Sequence, residues 1–155
     1  PGPTPPLHLP PTPCDLLTAD TINAAETDEE ATLKLYGTVP SPSSKRIMVY
    51  LASTCRNSGK PDARAAFGTY WGYNSQYNVG WRIPERQTEG RAVLAAILYS
   101  LRQVGAKGDK SMDIFTTSKF AIRAICYAAG KNYTRGWDCT NGDLLEAIAK
   151  AIRAR

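Results

Sequence analysis

The side chains best suited to metal or redox chemistry are few and widely spaced. His8 is the only histidine, and the four cysteines are Cys14, Cys55, Cys126 and Cys139. No two cysteines have the C-x2-C spacing typical of a zinc site, so the sequence predicts no structural metal and no cofactor. Thiols without a disulfide pattern favour a reducing, intracellular compartment (nuclear, cytoplasmic or mitochondrial), with two disulfides in a secreted protein as the alternative. Cys126, on an apolar helical face, is predicted to be a core thiol.

Charge and proline divide the chain of 155 residues into two parts. Residues 1–44 carry six acidic side chains and one basic one, whereas residues 45–155 carry 18 basic and eight acidic ones. Seven of the 11 prolines lie in the first 13 residues. We therefore predict a Pro-rich, acidic N-terminal segment over 1–44, acting as a linker with a candidate extra strand at 32–36, and a basic globular domain over 45–155. No apolar run is long enough for a membrane span.

The elements that must position any functional side chain follow from the hydrophobic pattern of the second part. Three β-type runs at 46–52, 65–72 and 77–83 precede an amphipathic helix at 88–104 and a fourth strand at 112–116. A helix capped by Ser118 and ending at Gly130 follows, and Asn141 caps a last helix. This order predicts an α/β fold with a mixed sheet, in which a three-stranded antiparallel meander gains a parallel strand through a helical crossover and helices cover the sheet.

Several runs follow one another between about Arg46 and the C-terminus: Val49-Tyr50, Cys55-Arg-Asn-Ser-Gly-Lys-Pro-Asp-Ala-Arg-Ala65, Arg86-Gln-Thr88, Phe115-Thr-Thr-Ser118 and Arg135-Gly-Trp137. In residues and in order, these runs resemble the type 1 ribonucleases H of eukaryotes. The resemblance implies a ribonuclease H-like fold. It also implies that the chain stops before the family's fifth strand, so we expect a C-terminally truncated version of that fold.

The resemblance also identifies which residues of this chain occupy the family's catalytic positions. These enzymes cut the RNA strand of an RNA/DNA hybrid with two divalent cations held by carboxylates. The three positions that the family fills with carboxylates in this part of the fold are Ala52, Val93 and Thr117 here. A hydrocarbon side chain offers a cation no ligand atom, so the sequence predicts a catalytically inactive relative, a pseudoenzyme without a metal site.

The same resemblance assigns a set of binding residues. Arg86 and Thr88 match the family's residues that grip a DNA phosphate, although Glu89 replaces an asparagine that contacts the substrate. The aromatic positions of the DNA channel resemble Phe120 and Trp137, and the basic residues of the same region are Arg123, Lys131 and Arg135. Cations suit phosphates and aromatic rings suit sugars and bases. The first hypothesis is therefore a module that binds nucleic acid, either duplex RNA or an RNA/DNA hybrid, through phosphate contacts.

A second hypothesis is a scaffold for protein–protein interaction or dimerisation. If no fifth strand follows the fourth, an unpaired sheet edge invites pairing with residues 32–36 or with another chain. The family's former cleft is the other surface that a protein partner would use. Neither hypothesis involves a membrane.

Overall fold

The computed structural model describes residues 26–37, 46–104 and 111–155. Five helices and four strands lie in these ranges, in the order α1 (Asp28–Tyr36), β1 (Arg46–Arg56), β2 (Arg64–Tyr70), β3 (Val79–Arg82), α2 (Glu89–Val104), β4 (Ser111–Phe115), α3 (Lys119–Cys126), α4 (Ala129–Thr134) and α5 (Gly142–Arg153). No described helix is both long enough and apolar enough to cross a membrane.

The four strands form one mixed sheet in the order β3-β2-β1-β4. Neighbouring strands β1 and β2 are antiparallel, as are β2 and β3, whereas β4 pairs with β1 in parallel. A parallel pair requires a crossover, and α2 provides it between β3 and β4. The predicted meander with one parallel strand is therefore confirmed.

The core lies between one face of the sheet and the helices. The apolar stripe of α2 predicted from the sequence is buried there, including Leu94, Ile97, Leu98 and Leu101. The apolar face of α5 is buried in the same cluster through Leu145 and Ile148. Because side chains alternate along a strand, β1 sends only every second residue into this core, and Val49 is fully buried.

The candidate strand at 32–36 is wrong, because these residues belong to helix α1. Thr27 caps the helix: its hydroxyl accepts a hydrogen bond from the Glu30 N–H at 3.1 Å, and the Glu30 carboxylate accepts one from the Thr27 N–H at 3.2 Å. The helix packs on α4 and α5 rather than on the sheet edge. The predicted boundary between 44 and 45 falls in residues 38–45, outside the described ranges, and stays a prediction.

The single helix predicted between Ser118 and Gly130 is two helices. Ser118 caps α3 as predicted, with its hydroxyl accepting from the Ala121 N–H at 3.2 Å, but the helix ends at Cys126 and α4 starts at Ala129. The buried face of α3 consists of Ala121 and Ala124, so the prediction of a core thiol at Cys126 is wrong and this cysteine is exposed.

Candidate nucleic-acid interface

The loop that carries Arg86 and Thr88 is fixed by the glutamine between them. The Gln87 side-chain oxygen accepts from the Ala65 N–H at 2.8 Å, and its amide nitrogen donates to the carbonyls of Ile83 at 2.8 Å and Glu85 at 2.9 Å. The first bond ties the loop to β2, the second ties it to the residue after β3, and the third lies within the loop. With Gln87 turned inward, Arg86 and Thr88 are left exposed on the surface.

Thr88 also begins helix α2. Its hydroxyl accepts from the Arg91 N–H at 3.2 Å, and its carbonyl accepts from the Ala92 N–H at 3.1 Å. Such a cap satisfies a free backbone N–H group at the N-terminus of the helix. The helix dipole at this end also favours a negatively charged ligand. The Arg-Gln-Thr sequence therefore places one cation and one helix N-terminus on the same stretch of surface.

Phe120 and Arg123 on α3 lie on that surface too. The Phe120 ring packs over the first turn of α2, where a Cβ on Gly90 would lie 3.1 Å from ring atom Cε1. Arg123, one turn further along α3, is exposed, and in the described part of the chain neither it nor Arg86 forms an ion pair. Together with residues of α4 and of the loop before α5, Phe120 and Arg123 line a groove of about 460 Å³. We call Arg86, Thr88, Phe120 and Arg123 the loop–helix surface.

The other three predicted binding residues belong to a neighbouring region. Lys131 forms an ion pair with Asp28 of helix α1, with 2.9 Å between Nζ and Oδ1. Trp137 is partly buried against the core, and its backbone N–H donates to the Asn132 carbonyl at 2.7 Å. Arg135 is exposed just after α4. The structure thus uses Lys131 and Trp137 in internal contacts, and their role in binding stays a prediction.

A buried arginine that the sequence analysis did not single out holds α2 against α5. Arg91 is only 8% exposed, and its guanidinium donates two hydrogen bonds of 2.9 Å to the carboxylate of Asp143. Its Nη1 also donates to the Asn141 side-chain oxygen at 3.2 Å. The one available signal was a charged residue on the apolar stripe of α2, one turn before Leu94. This network fixes the start of α5 beside the first turn of α2, and so supports the surface around Phe120.

Acid is expected to weaken this network. The hydrogen bonds from Arg91 lower the pKa of Asp143 from 3.8 to about 2. Because the pKa in the folded protein lies below that in the unfolded chain, the pair stabilises the fold above about pH 4 and this contribution is lost as the pH falls towards 2. We expect the difference in free energy of unfolding between the wild type and Asp143→Asn to shrink across that window in urea titrations. A difference that stays constant from pH 5 to pH 2 would contradict the assignment.

The three positions matched to the family's carboxylates differ in their exposure. Ala52 is exposed on the side of β1 that turns away from α2, Val93 is buried in the core, and Thr117 is exposed between β4 and α3. Within the described ranges, no group of three or more histidine, cysteine, aspartate or glutamate side chains is arranged to hold a metal ion.

Comparison with known proteins gives a partial match. No family model matches the chain. Over 91 residues the chain is 35% identical to ribonuclease H1 of Mus musculus and to ribonuclease H1 of Rattus norvegicus, and 33% identical to ribonuclease H1 of Homo sapiens. The match covers 59% of this chain and 30% of each relative. The aligned part of the chain therefore spans less than a third of the relatives' length.

These relatives contradict the prediction that the chain is not an enzyme. All three are named as ribonucleases, which are enzymes, and nothing in the described part of the chain demonstrates a loss of activity. The prediction rested on the residue types at Ala52, Val93 and Thr117, and residue types at three positions do not measure turnover. The 91-residue match relates this chain to eukaryotic ribonuclease H1. Together with the mixed sheet in the order β3-β2-β1-β4, it shows that the chain has a ribonuclease H-like fold.

Proposed function

We propose that this chain binds RNA/DNA hybrid, with duplex RNA as the closest competitor, through phosphate contacts on the loop–helix surface. The observation that carries the proposal is the loop fixed by Gln87, which presents Arg86 and the capped start of α2 side by side. A loop held by three hydrogen bonds loses little conformational entropy when a ligand binds. Proteins related to the chain are named ribonuclease H1, and their name supports a ribonucleic acid as the ligand.

The chemistry of the surface suits a nucleic-acid backbone. Arg86 and Arg123 have no carboxylate partner in the described ranges, so their charges are available to phosphates. The ring of Phe120, 40% exposed, packs over Gly90 in the first turn of α2 and offers an apolar contact to a sugar. The excess of ten positive charges over residues 45–155 attracts any polyanion to the molecule before these specific contacts form.

An Arg86→Gln, Arg123→Gln double variant tests the proposal. We expect its affinity for a hybrid to fall about tenfold or more at 0.1 M salt, because each lost phosphate contact removes roughly 0.7–0.9 from the slope of log affinity against log salt. Fluorescence anisotropy with hybrid, duplex RNA, duplex DNA and single strands of one sequence gives the affinities. The same samples incubated with Mg²⁺, Mn²⁺ or EDTA report whether the bound RNA strand is cut.

The matched control is Arg102→Gln, which removes an exposed arginine near the opposite end of α2. We expect it to change affinity less than threefold. Equal losses in the control and in the double variant would mean that only net charge matters. Wild-type protein that binds no nucleic acid at low salt would refute the proposed function.

A protein-interaction role is the second candidate, and the position of β4 favours it. In the described part of the chain, β4 lies at the edge of the sheet with β1 on one side only. An edge strand exposes unpaired N–H and C=O groups that another strand can use. Light scattering over a concentration series tests whether copies of the chain associate; a constant monomer mass would leave this candidate without support as a self-association surface.

A further inference from the structure

The face of the sheet that turns away from α2, here called the outer face, is exposed in the described structure. Side chains alternate along β1, so Val49 points into the core while Tyr50 points to the outer face and is 48% exposed. On the neighbouring strands, Tyr70 and Phe115 are 51% and 42% exposed on the same face. This surface is distinct from the loop–helix surface and has no role in the binding mode proposed above.

Three arginines cluster at one end of the outer face. Arg56 on β1 and Arg64 on β2 are paired directly across the strands, and Arg82 on β3 pairs with Ala66, the next residue of β2 on that face. All three are exposed, and none forms an ion pair with a described residue. Like charges placed directly opposite each other on neighbouring strands destabilise a sheet. The fold therefore accepts a local electrostatic cost that a bound anion would relieve.

The surface beside these arginines is shallow and lined by small residues. Ala52, Ala66, Gly68 and Gly80 form its floor next to Arg82, and the depression has a volume of about 270 Å³. A Cβ placed on Gly80 would have no atom within 4 Å, so nothing stands above the floor at this point. A ligand backbone can approach the strands closely here, beside Arg82 and on the same face as Arg56 and Arg64.

The aromatic side chains at the other end of the face indicate which part of a ligand would be in contact. The rings of Tyr50 and Phe115, on adjacent strands, are stacked on each other with centroids 4.7 Å apart and planes 12° apart. Two rings on neighbouring strands that face each other stand upright, so they turn their edges to solvent. Base stacking needs an open ring face. This stacked pair is therefore a poor platform for bases, and the charges at the other end of the face are the stronger contact for a ligand.

We infer that Arg56, Arg64 and Arg82 bind the phosphate backbone of a nucleic-acid strand that crosses the outer face. This inference rests on the proposed function and extends it to a second contact surface. Neighbouring strands lie about 4.8 Å apart, so the three cations span about 10 Å across the sheet and present a row of positive charge to a polyanion. A second copy of the chain is disfavoured as the occupant, because it would bring a second set of three arginines against the first.

An Arg64→Gln, Arg82→Gln double variant tests the inference by hybrid binding and thermal unfolding. We expect affinity at 0.1 M salt to fall about tenfold or more and the log–log salt slope to become shallower by roughly 1.4–1.8. The midpoint of thermal unfolding should stay the same or rise, because the like-charge contact with Arg56 is relieved. A purely structural role for these arginines would instead lower the midpoint.

Arg46→Gln is the matched control on the same face. Arg46 lies at the opposite end of β1 and pairs with Asp113, with 3.2 Å between Nε and Oδ2, so we expect little change in affinity. If the Arg64/Arg82 variant binds like the wild type while the Arg86/Arg123 variant does not, the inference is overturned and the proposed function stands. Polyglutamate that binds through Arg64 and Arg82 as tightly as an oligonucleotide of equal charge would assign the face to an acidic polypeptide instead. A wild type that binds no nucleic acid would overturn both.

Discussion

A Gly130→Ala variant is expected to detach helix α1 and to lower the free energy of unfolding by about 2 kcal/mol. A Cβ at this position would lie 2.1 Å from the carbonyl carbon of Ala31 and 2.4 Å from the backbone nitrogen of Thr32. Both atoms belong to the main chain of α1, so no side-chain rotation relieves the clash. The better helix propensity of alanine returns about 1 kcal/mol at most, which is less than the cost of overpacking.

The loss of stability cannot exceed the free energy that the docking of α1 contributes, because α1 can detach instead of distorting α4. Docking buries Ala31 and Leu35 and makes three long-range hydrogen bonds. The Thr32 hydroxyl donates to the Tyr127 carbonyl at 2.7 Å and accepts from the Gly130 N–H at 3.3 Å, and the Tyr36 hydroxyl donates to the Ile125 carbonyl at 3.0 Å. Urea unfolding gives the free energy, and hydrogen exchange over residues 28–36 reports whether the helix is released.

Gly80→Ala is the control, since its new methyl group would meet no atom within 4 Å. We expect it to change the free energy of unfolding by less than about 0.5 kcal/mol. A Gly130→Ala protein with wild-type stability and wild-type protection over 28–36 would show that α1 does not pack on α4 as described.

Helix α1 also shows where sequence reasoning was incomplete. The pattern Thr-Leu-Lys-Leu-Tyr at 32–36 has the β-branched and aromatic residues typical of a strand, which favoured the wrong prediction. The decisive signal lay earlier, in Thr27 followed three residues later by Glu30, because that pair satisfies the first donors of a helix. Local capping, together with packing on Gly130, outweighed the strand propensity of the segment.

The sheet and the long helices were predictable because each carries a strong period of apolar residues. The α3–α4 region was not, because α3 buries Ala121 and Ala124 and α4 buries Ala129 and Gly130. These small residues are weaker hydrophobic signals than Ile122 and Ile125. Small residues occupy these positions because the neighbouring helices approach closely. A single sequence does not reveal such an approach. A similar effect acts at Asn141: it begins α5 as predicted, but its side chain binds Arg91 instead of capping the helix.

The residues of the loop–helix surface stay a prediction as a binding site, and their arrangement was not predictable from the sequence. Phe120 on α3 packs on Gly90 in the first turn of α2, a tertiary contact with no local signature. Lys131 was expected to face a ligand, but it pairs with Asp28, an acid that the sequence placed in a separate segment. This long-range ion pair forms because α1 docks on α4. It could not be predicted, because the sequence pattern did not identify α1 as a helix.

An Arg91→Met variant is expected to lower the free energy of unfolding by about 3 kcal/mol. Methionine keeps much of the aliphatic stem but removes the guanidinium, so the side-chain oxygen of Asn141, a residue 8% exposed, loses its donor. The side chain of its partner Asp143 is 65% exposed, so water can solvate the carboxylate that is left without a partner. The loss of stability is therefore expected at the lower end of the range for breaking a fully buried ion pair. Arg102→Met, an exposed change on the same helix, is the control and should cost less than about 0.5 kcal/mol.

A double-mutant cycle with Asp143→Asn separates the ion pair from the contact with Asn141. If the charged pair carries most of the effect, the coupling energy between the two changes should exceed about 1 kcal/mol; if the unsatisfied Asn141 carries it, the changes should be nearly additive. In either case the start of α5 loses its tie to the first turn of α2, where Phe120 packs on Gly90. Hybrid affinity should therefore fall in Arg91→Met at temperatures where the protein is still folded. Unchanged stability, or unchanged affinity in a destabilised variant, would show that this buried network does not support the loop–helix surface.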